Sequence, residues 1–197
     1  MSGDSTKETV RGTSERGAAT RVALLDAARD VFIIQGFAEA GVTEVVQRAG
    51  ASVGSLYHHF SGKADLYRAL FEEFQDRQGQ RTKTAVQEAR SQGETEPMKL
   101  FLAGARAYLD GCVQERDLAA LFLRGDGPPG FEVVIRERLR TWARRNASLF
   151  EHEDALVVVI TGALAAVVQE LTLSADLDAA RLMADQALDI IGRIRNP

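Results

Sequence analysis

Residues 41–66 of the chain read GVTEVVQRAGASVGSLYHHFSGKADL. Four apolar residues near the start of this segment recur at the i, i+3, i+4, i+7 spacing of a helix face. They are Val42, Val45, Val46 and Ala49. Gly50 is expected to end that helix, and Ser52 is a good N-cap for a second short helix that runs to about Phe60. Two short helices joined by a tight turn, over about residues 41–60, have the size of a helix-turn-helix.

The distribution of proline extends this helical interpretation to the whole chain. The four prolines are Pro97, Pro128, Pro129 and Pro197, so the first 96 residues contain none. Long proline-free stretches with apolar residues at helical spacing favour helices over strands. We therefore predict an all-α protein of about nine helices, over residues 20–35, 41–49, 52–60, 62–90, 98–115, 118–123, 131–150, 155–173 and 178–195. The RGDGPPG turn (residues 124–130) either gates a pocket or simply breaks the helix.

The first residues of the chain differ from the rest in composition. Residues 1–17 are rich in Ser, Thr, Gly and charge and are expected to form a disordered arm.

Composition limits the function of the 197 residues. The 24 Lys and Arg against 28 Asp and Glu give a net charge of −4, so a nucleic-acid site would have to be a local patch. A single cysteine and three histidines make a cysteine-based zinc site or a histidine-rich metal centre a poor expectation, and no cofactor is predicted. The N-terminus lacks an apolar signal core, and the apolar run 155–168 is shorter than the ~20 residues of a membrane span. We therefore expect a cytoplasmic protein without a membrane partner.

The second short helix has an outer face suited to DNA. On a helical wheel Leu56 and Phe60 point inward, while Gly54, Ser55 and His58 point to the opposite side. Gly54 would let the backbone approach a duplex, and Ser55 could hydrogen-bond a base edge. Side chains around them could reach phosphate oxygens, and the segment between Val45 and Ala64 contains Arg48 and Lys63 but no acid. The alternative for Tyr57, His58 and His59 is an ordinary polar helix face with a buried tyrosine, without a role in DNA binding.

Residues 50–66, GASVGSLYHHFSGKADL, closely resemble the signature of the TetR family of bacterial transcriptional regulators, and residues 25–37, LDAARDVFIIQGF, resemble the first helix of that family. The resemblance covers roughly residues 18–78. It implies an all-helical homodimer. Residues 18–78 would form an N-terminal DNA-binding domain of three helices that contains the helix-turn-helix, and residues 79–197 would form a C-terminal domain for ligand binding and dimerisation. Most members repress transcription and leave a palindromic operator when a small molecule binds.

The resemblance also implies roles for individual residues. Bases or nearby backbone would be met by Thr43, Val53, Gly54 and Ser55. Phosphates would be held by Tyr57, His58, His59 and Lys63, and Ser52 completes the candidate DNA-binding set. Val53 departs from the usual polar residue, so it could touch a thymine methyl or turn inward toward Leu56.

The C-terminal half contains the candidates for effector binding and dimerisation. Five residues could line an effector pocket, although core packing is the default for each: Phe101, Tyr108, Cys112, Phe122 and Trp142. The apolar patterns of residues 156–168 and 180–194 predict two helices with more apolar surface than a lone hairpin covers, which favours a homodimer through the last two helices. The alternative is a small-molecule carrier or enzyme with an incidental helix-turn-helix. We expect no enzyme, because the sequence offers no nucleophile–base pair or phosphate loop.

Overall fold

The computed structural model describes residues 5–147, 150 and 154–194. Within those ranges the chain forms nine α-helices, which confirms the all-α prediction. They are α1 (Ser5–Glu39), α2 (Val42–Arg48), α3 (Val53–His59), α4 (Lys63–Ser91), α5 (Pro97–Gln114), α6 (Arg116–Leu123), α7 (Phe131–Ala147), α8 (Asp154–Leu173) and α9 (Leu177–Arg193).

Helix α1 differs most from its prediction. It begins at Ser5, so residues 5–17 are helical where the sequence predicts a disordered arm; residues 1–4 of that arm lie outside the described residues. This segment contains no proline and several good helix formers, so its glycines cost only about 1 kcal/mol each and do not break the helix. The sequence predicts that the first helix ends at Gly36. Gly36 does leave the helical conformation (φ 79°, ψ 172°), although α1 as a whole extends to Glu39.

The chain divides into two compact units. The described residues up to Glu72, together with Asp126–Pro128, form the first, and Glu73–Gly125 with the described residues from Pro129 onward form the second. The observed boundary therefore lies six residues before the predicted one, inside α4. A boundary within a continuous helix leaves no turn residue to mark it in the sequence.

The first unit is a small helical domain with its own core. Leu24, Phe32, Leu56 and Leu66 are completely buried in it, and they come from α1, α3 and α4. Tyr67 is also buried and makes edge-on ring contacts with Phe32 and Phe37. This core holds α2 and α3 against α1.

The second unit is built around α8, which packs against α5, α6, α7 and α9. Ile160 and Leu171 of α8 are buried, whereas Val158 and Val159 are 66% and 59% exposed. The sequence counts only residues 155–168 as an apolar run, which is too short for a membrane span. The helix continues past residue 168, and its 19 residues Ala155–Leu173, with a mean hydropathy of 2.1 and 39% buried, are long and apolar enough to span a bilayer by length and composition.

Candidate nucleic-acid interface

The turn between α2 and α3 fixes the angle at which α3 leaves the domain. Gly50 adopts a left-handed φ of 61°, which a residue with a Cβ rarely adopts. Its N–H donates to the Gln47 carbonyl at 3.2 Å, and the Ala51 N–H donates to the Val46 carbonyl at 2.9 Å. These two bonds form a Schellman motif, so the last carbonyls of α2 are satisfied within the turn.

Helix α3 begins with a side-chain cap. The Ser52 Oγ accepts a hydrogen bond from the Ser55 N–H at 3.0 Å, and the two serine hydroxyls lie 2.9 Å apart. Ser52 is thus the N-cap that the sequence predicts. The Ser55 hydroxyl is already hydrogen-bonded to Ser52. Its remaining hydrogen-bonding capacity is available to a base edge.

The two faces of α3 differ as the helical wheel predicts. Leu56 is fully buried and Phe60, just after the helix, is 4% exposed. Tyr57 is 57% exposed and Val53 is 46% exposed, so Val53 points outward rather than toward Leu56. Among the other predicted DNA-binding residues, Thr43, Ser52, Gly54 and His58 are exposed, and Ser55, His59 and Lys63 are half-buried.

The positive charge beside α3 is partly neutralised by partners that the sequence did not reveal. Arg48 pairs with Asp30 of α1 at 3.3 Å. Lys63 donates from Nζ to the Ala38 carbonyl at 2.9 Å and lies 4.6 Å from the centre of the Phe37 ring. An ammonium has three N–H donors, so Lys63 keeps donors for a phosphate while its position is fixed.

Sequence reasoning missed residues of α1 that lie beside the end of α3. The Arg21 guanidinium stacks over the Phe60 ring, 5.3 Å from its centre. A Cβ on Gly17 would lie 3.8 Å from His59 Cε1, so α1 passes close to this histidine. The spacing of Arg16 and Arg21 could have indicated a basic side of α1. The prediction of a disordered arm over residues 1–17 separated the two arginines and hid this signal.

The predicted effector residues in the second unit form separate contacts rather than one open site. Phe101, Cys112 and Phe122 are buried, and Tyr108 and Trp142 are half-buried. Phe101 makes edge-on contacts with Trp142 and Phe150, whereas Phe122 contacts Phe74 and Phe131. A surface pocket of about 530 Å³ lies instead along α5 and α9, and none of the five lines it. Its lining residues are Leu102, Arg106, Asp185, Gln186, Leu188 and Asp189.

Tyr108 and Cys112 lie one helical turn apart on α5, in the second unit. Burial raises the pKa of the Cys112 thiol to about 12 and that of the Tyr108 phenol above its usual value. Both groups are therefore neutral near pH 7. They can offer a ligand hydrogen bonds but no charge.

Comparison with known proteins places the helix-turn-helix in a family. Residues 24–70 match the profile described as "Bacterial regulatory proteins, tetR family". The chain is 45% identical over 53 residues to the HTH-type transcriptional activator FasR of Mycolicibacterium smegmatis, a match that covers 27% of this chain and 24% of FasR. It is 25% identical over 183 residues to the uncharacterised HTH-type transcriptional regulator YdgC of Bacillus subtilis, covering 89% of this chain and 91% of YdgC.

Solved structures extend the similarity of fold to the second unit. A TetR-like transcriptional regulator from Rhodococcus sp. RHA1 superposes with a TM-score of 0.65 at 23% identity, covering 88% of this chain and 94% of that one. The matches to FasR and to the other curated relatives above 30% identity span less than half of those proteins. They concentrate on the segment that carries α2 and α3. Residues 24–70 therefore resemble the tetR family of bacterial regulatory proteins, and the fold of the chain resembles that of the TetR-like regulator from Rhodococcus.

Proposed function

We propose that this chain is a DNA-binding transcriptional regulator that acts as a repressor. It binds a palindromic operator as a homodimer and is released when a small molecule binds its second unit. The observation that carries the proposal is the exposed face of α3, where Val53, Gly54 and Tyr57 point outward while Leu56 is buried beneath them. Such a helix fits a major groove, and no catalytic role is assigned to it.

The DNA-binding residues have two proposed roles on this surface. Thr43, Ser52, Val53, Gly54 and Ser55 would meet base edges or nearby backbone. Tyr57, His58, His59 and Lys63 would hold phosphates. The exposed Val53 isopropyl group has neither donor nor acceptor, so its base partner would be a thymine methyl.

Fluorescence anisotropy with duplex DNA from upstream of the coding sequence tests DNA binding directly. We expect the wild-type protein to bind this duplex in preference to a shuffled duplex of the same composition, with an affinity that falls as salt rises. Footprinting should then show two protected half-sites about 34–36 Å apart along the duplex. If the two duplexes bind equally at every salt concentration, the chain is not a sequence-specific regulator.

A second copy of the chain is the proposed occupant of the exposed apolar face of the last two helices. Val158 and Val159 of α8 and Leu182 and Ile190 of α9 are each at least 59% exposed. Small residues lie among them on α8, at Gly162, Ala165 and Ala166, where a partner helix could approach closely. Pairing of two copies would remove this face from water, which also supports a cytoplasmic protein over a membrane-spanning one.

Sedimentation of single-residue variants tests the dimer. Glu in place of Val158 would bury an unpaired charge in the interface and should weaken self-association by about tenfold or more. Val133 of α7 is 56% exposed and serves as the control, because V133E adds the same charge outside the proposed interface. Equal effects of V158E and V133E on the dimer would remove α8 from the interface.

The effector is proposed to be an apolar or aromatic small molecule recognised by neutral hydrogen-bonding groups. Phe101 and Trp142, whose rings are in contact, would supply its apolar contacts, and Tyr108 and Cys112 would supply uncharged polar atoms. Phe122, which packs against Phe74 and Phe131, stays a separate candidate. Compounds can be screened for release of a bound duplex, with W142A expected to lower the sensitivity to the effector without changing affinity for DNA.

A further inference from the structure

A carboxylate from a distant part of the sequence lies at the end of α1. The Phe37 N–H donates to Asp126 Oδ2 at 3.1 Å, although the two residues are 89 positions apart. Asp126 lies in the turn between α6 and α7, yet Asp126–Pro128 belongs to the first unit together with α1. The contact is therefore part of the packing of the DNA-binding domain.

The absence of a side chain at Gly36 makes room for this carboxylate. A Cβ built on Gly36 would lie 2.4 Å from Asp126 Oδ2, which is closer than real Cβ contacts. The other oxygen, Oδ1, is buried without a hydrogen-bond partner in the part of the chain that the structure describes. A carboxylate that gives up hydration on one oxygen relies on the bond made by the other, so the Phe37 N–H is its main compensation here.

The turn that Asp126 holds also contacts Lys63. The Phe37 ring lies beneath the Lys63 ammonium, with 4.6 Å between Nζ and the ring centre. The next residue, Ala38, accepts a hydrogen bond from Nζ at 2.9 Å. Asp126 fixes the backbone of Phe37, and Phe37 and Ala38 in turn fix the Lys63 ammonium. The contacts form one continuous series from a loop carboxylate to a candidate phosphate-binding group.

We propose that Asp126 is a positioning residue for DNA binding, which holds the Gly36–Ala38 turn so that Lys63 points its ammonium at a backbone phosphate. This inference rests on the proposed function. The inference predicts a change in DNA affinity opposite to that expected from charge, because a negative charge in a DNA-binding unit disfavours the approach of DNA. If Asp126 acted only through its charge, removing it would leave DNA binding unchanged or tighter. If it positions Lys63, removing it would weaken DNA binding.

Anisotropy titrations over a series of salt concentrations, on the upstream duplex, test this inference. We expect D126A to bind about three- to tenfold more weakly than wild type, the effect of one net hydrogen bond. D126N should retain wild-type affinity, because its Oδ1 can accept from Phe37. The matched control is D110A, which removes the same charge from an exposed position of α5 and should bind as well as wild type or better.

The double variant D126A/K63A distinguishes positioning from a general effect on the fold. If Asp126 acts through Lys63, D126A should cost little further affinity in the K63A background, and the salt dependence of D126A should move toward that of K63A. Additive losses, or a D126A affinity equal to that of D110A, would overturn the inference while leaving the proposed function intact.

Hydrogen exchange and the D126E variant test the role of Asp126 in two further ways. Hydrogen exchange at the Phe37 amide should be faster in D126A than in wild type, and unchanged exchange would overturn the inference. If D126A does not fold, D126E keeps the charge and moves the carboxylate by one methylene, so undiminished affinity of D126E would overturn it. If the wild-type protein binds neither upstream nor shuffled duplex, the proposed function fails and the inference fails with it.

Discussion

Gly36 has backbone angles that are nearly exclusive to glycine. Its φ of 79° and ψ of 172° fall in a region that costs other residues about 1–3 kcal/mol, and a Cβ there would also displace the Asp126 carboxylate. We therefore expect G36A to lower the free energy of unfolding by about 2 kcal/mol or more, measured by urea denaturation. G41A is the matched control, because Gly41 has an ordinary φ of −104° and its Cβ would meet nothing within 4 Å. Equal losses in both variants would contradict this account.

Lys63 and Tyr57 should differ in how their loss depends on salt, although both are proposed to hold phosphates. K63A removes one cation, so the slope of log affinity against log salt should fall by about 0.9. Y57A removes a neutral hydroxyl and should weaken binding to all duplexes with the slope unchanged. An unaltered slope for K63A would show that its ammonium remains with Ala38 in the complex.

Val53 and Ser55 should affect sequence preference instead of general affinity. Replacing Val53 with Ser removes the isopropyl group proposed to meet a thymine methyl, which should lower discrimination at one base pair by about 1 kcal/mol. Binding to a panel of single-base operator variants measures the change. An equal loss across the whole panel would place Val53 away from the bases.

At the scale of the elements, α4 and α5 meet at a close contact at Gly111. A Cβ on Gly111 would lie 2.0 Å from Gln78 Oε1, and Gln78 is 1% exposed. We expect G111A to lower the free energy of unfolding by about 1–3 kcal/mol, because a buried amide must move. G79A in α4 is the control: its Cβ meets nothing within 4 Å, so alanine should stabilise that helix by about 0.5–1 kcal/mol. Urea denaturation measures both variants. A loss of unfolding free energy in G111A and a gain in G79A would support this account, and equal changes would contradict it.

The helix bounds were largely predictable because their signals are local. Gly50, Ser52 and Gly36 act through their own backbone angles or caps, and each ended or began an element within a few residues of the predicted position. The bond between Phe37 and Asp126 and the pair of Arg48 with Asp30 connect residues that are distant in sequence. Periodicity carries no signal for such partners, so the constraints on Lys63 and the partial neutralisation of Arg48 could not be predicted.

At the scale of the whole molecule, acid should destabilise the second unit through Glu115. Burial would raise the pKa of this carboxyl, but hydrogen bonds and charges from Arg77 and Arg81 outweigh burial and lower the pKa below 4.5. A group with a lowered folded-state pKa stabilises the protein above its unfolded pKa, and that stability is lost as pH falls through the folded value. Wild type should therefore lose more stability than E115Q below pH 4.5. Parallel curves of unfolding free energy against pH would contradict this.

The exposed face of α3 was predictable from the sequence, but its environment was not. The alternation around Leu56 identified the outer face of α3 correctly, because one buried residue fixes the orientation of a seven-residue helix. The effector residues were less predictable, since aromatic side chains such as Phe101 and Phe122 pack against other rings in any helical core. The pocket along α5 and α9 is lined largely by charged and polar residues, which an aromatic criterion overlooks.

Helix α8 is apolar on its outer side as well as its inner side, and this has a consequence for the living cell. In the proposed homodimer this surface is buried by a second chain, so the DNA-binding species would form in proportion to the square of the monomer level. Halving the number of chains per cell would then reduce occupied promoter sites about fourfold in the dilute limit. Gene copy number and the rate of proteolysis would therefore change promoter occupancy more than proportionally, before any effector is present.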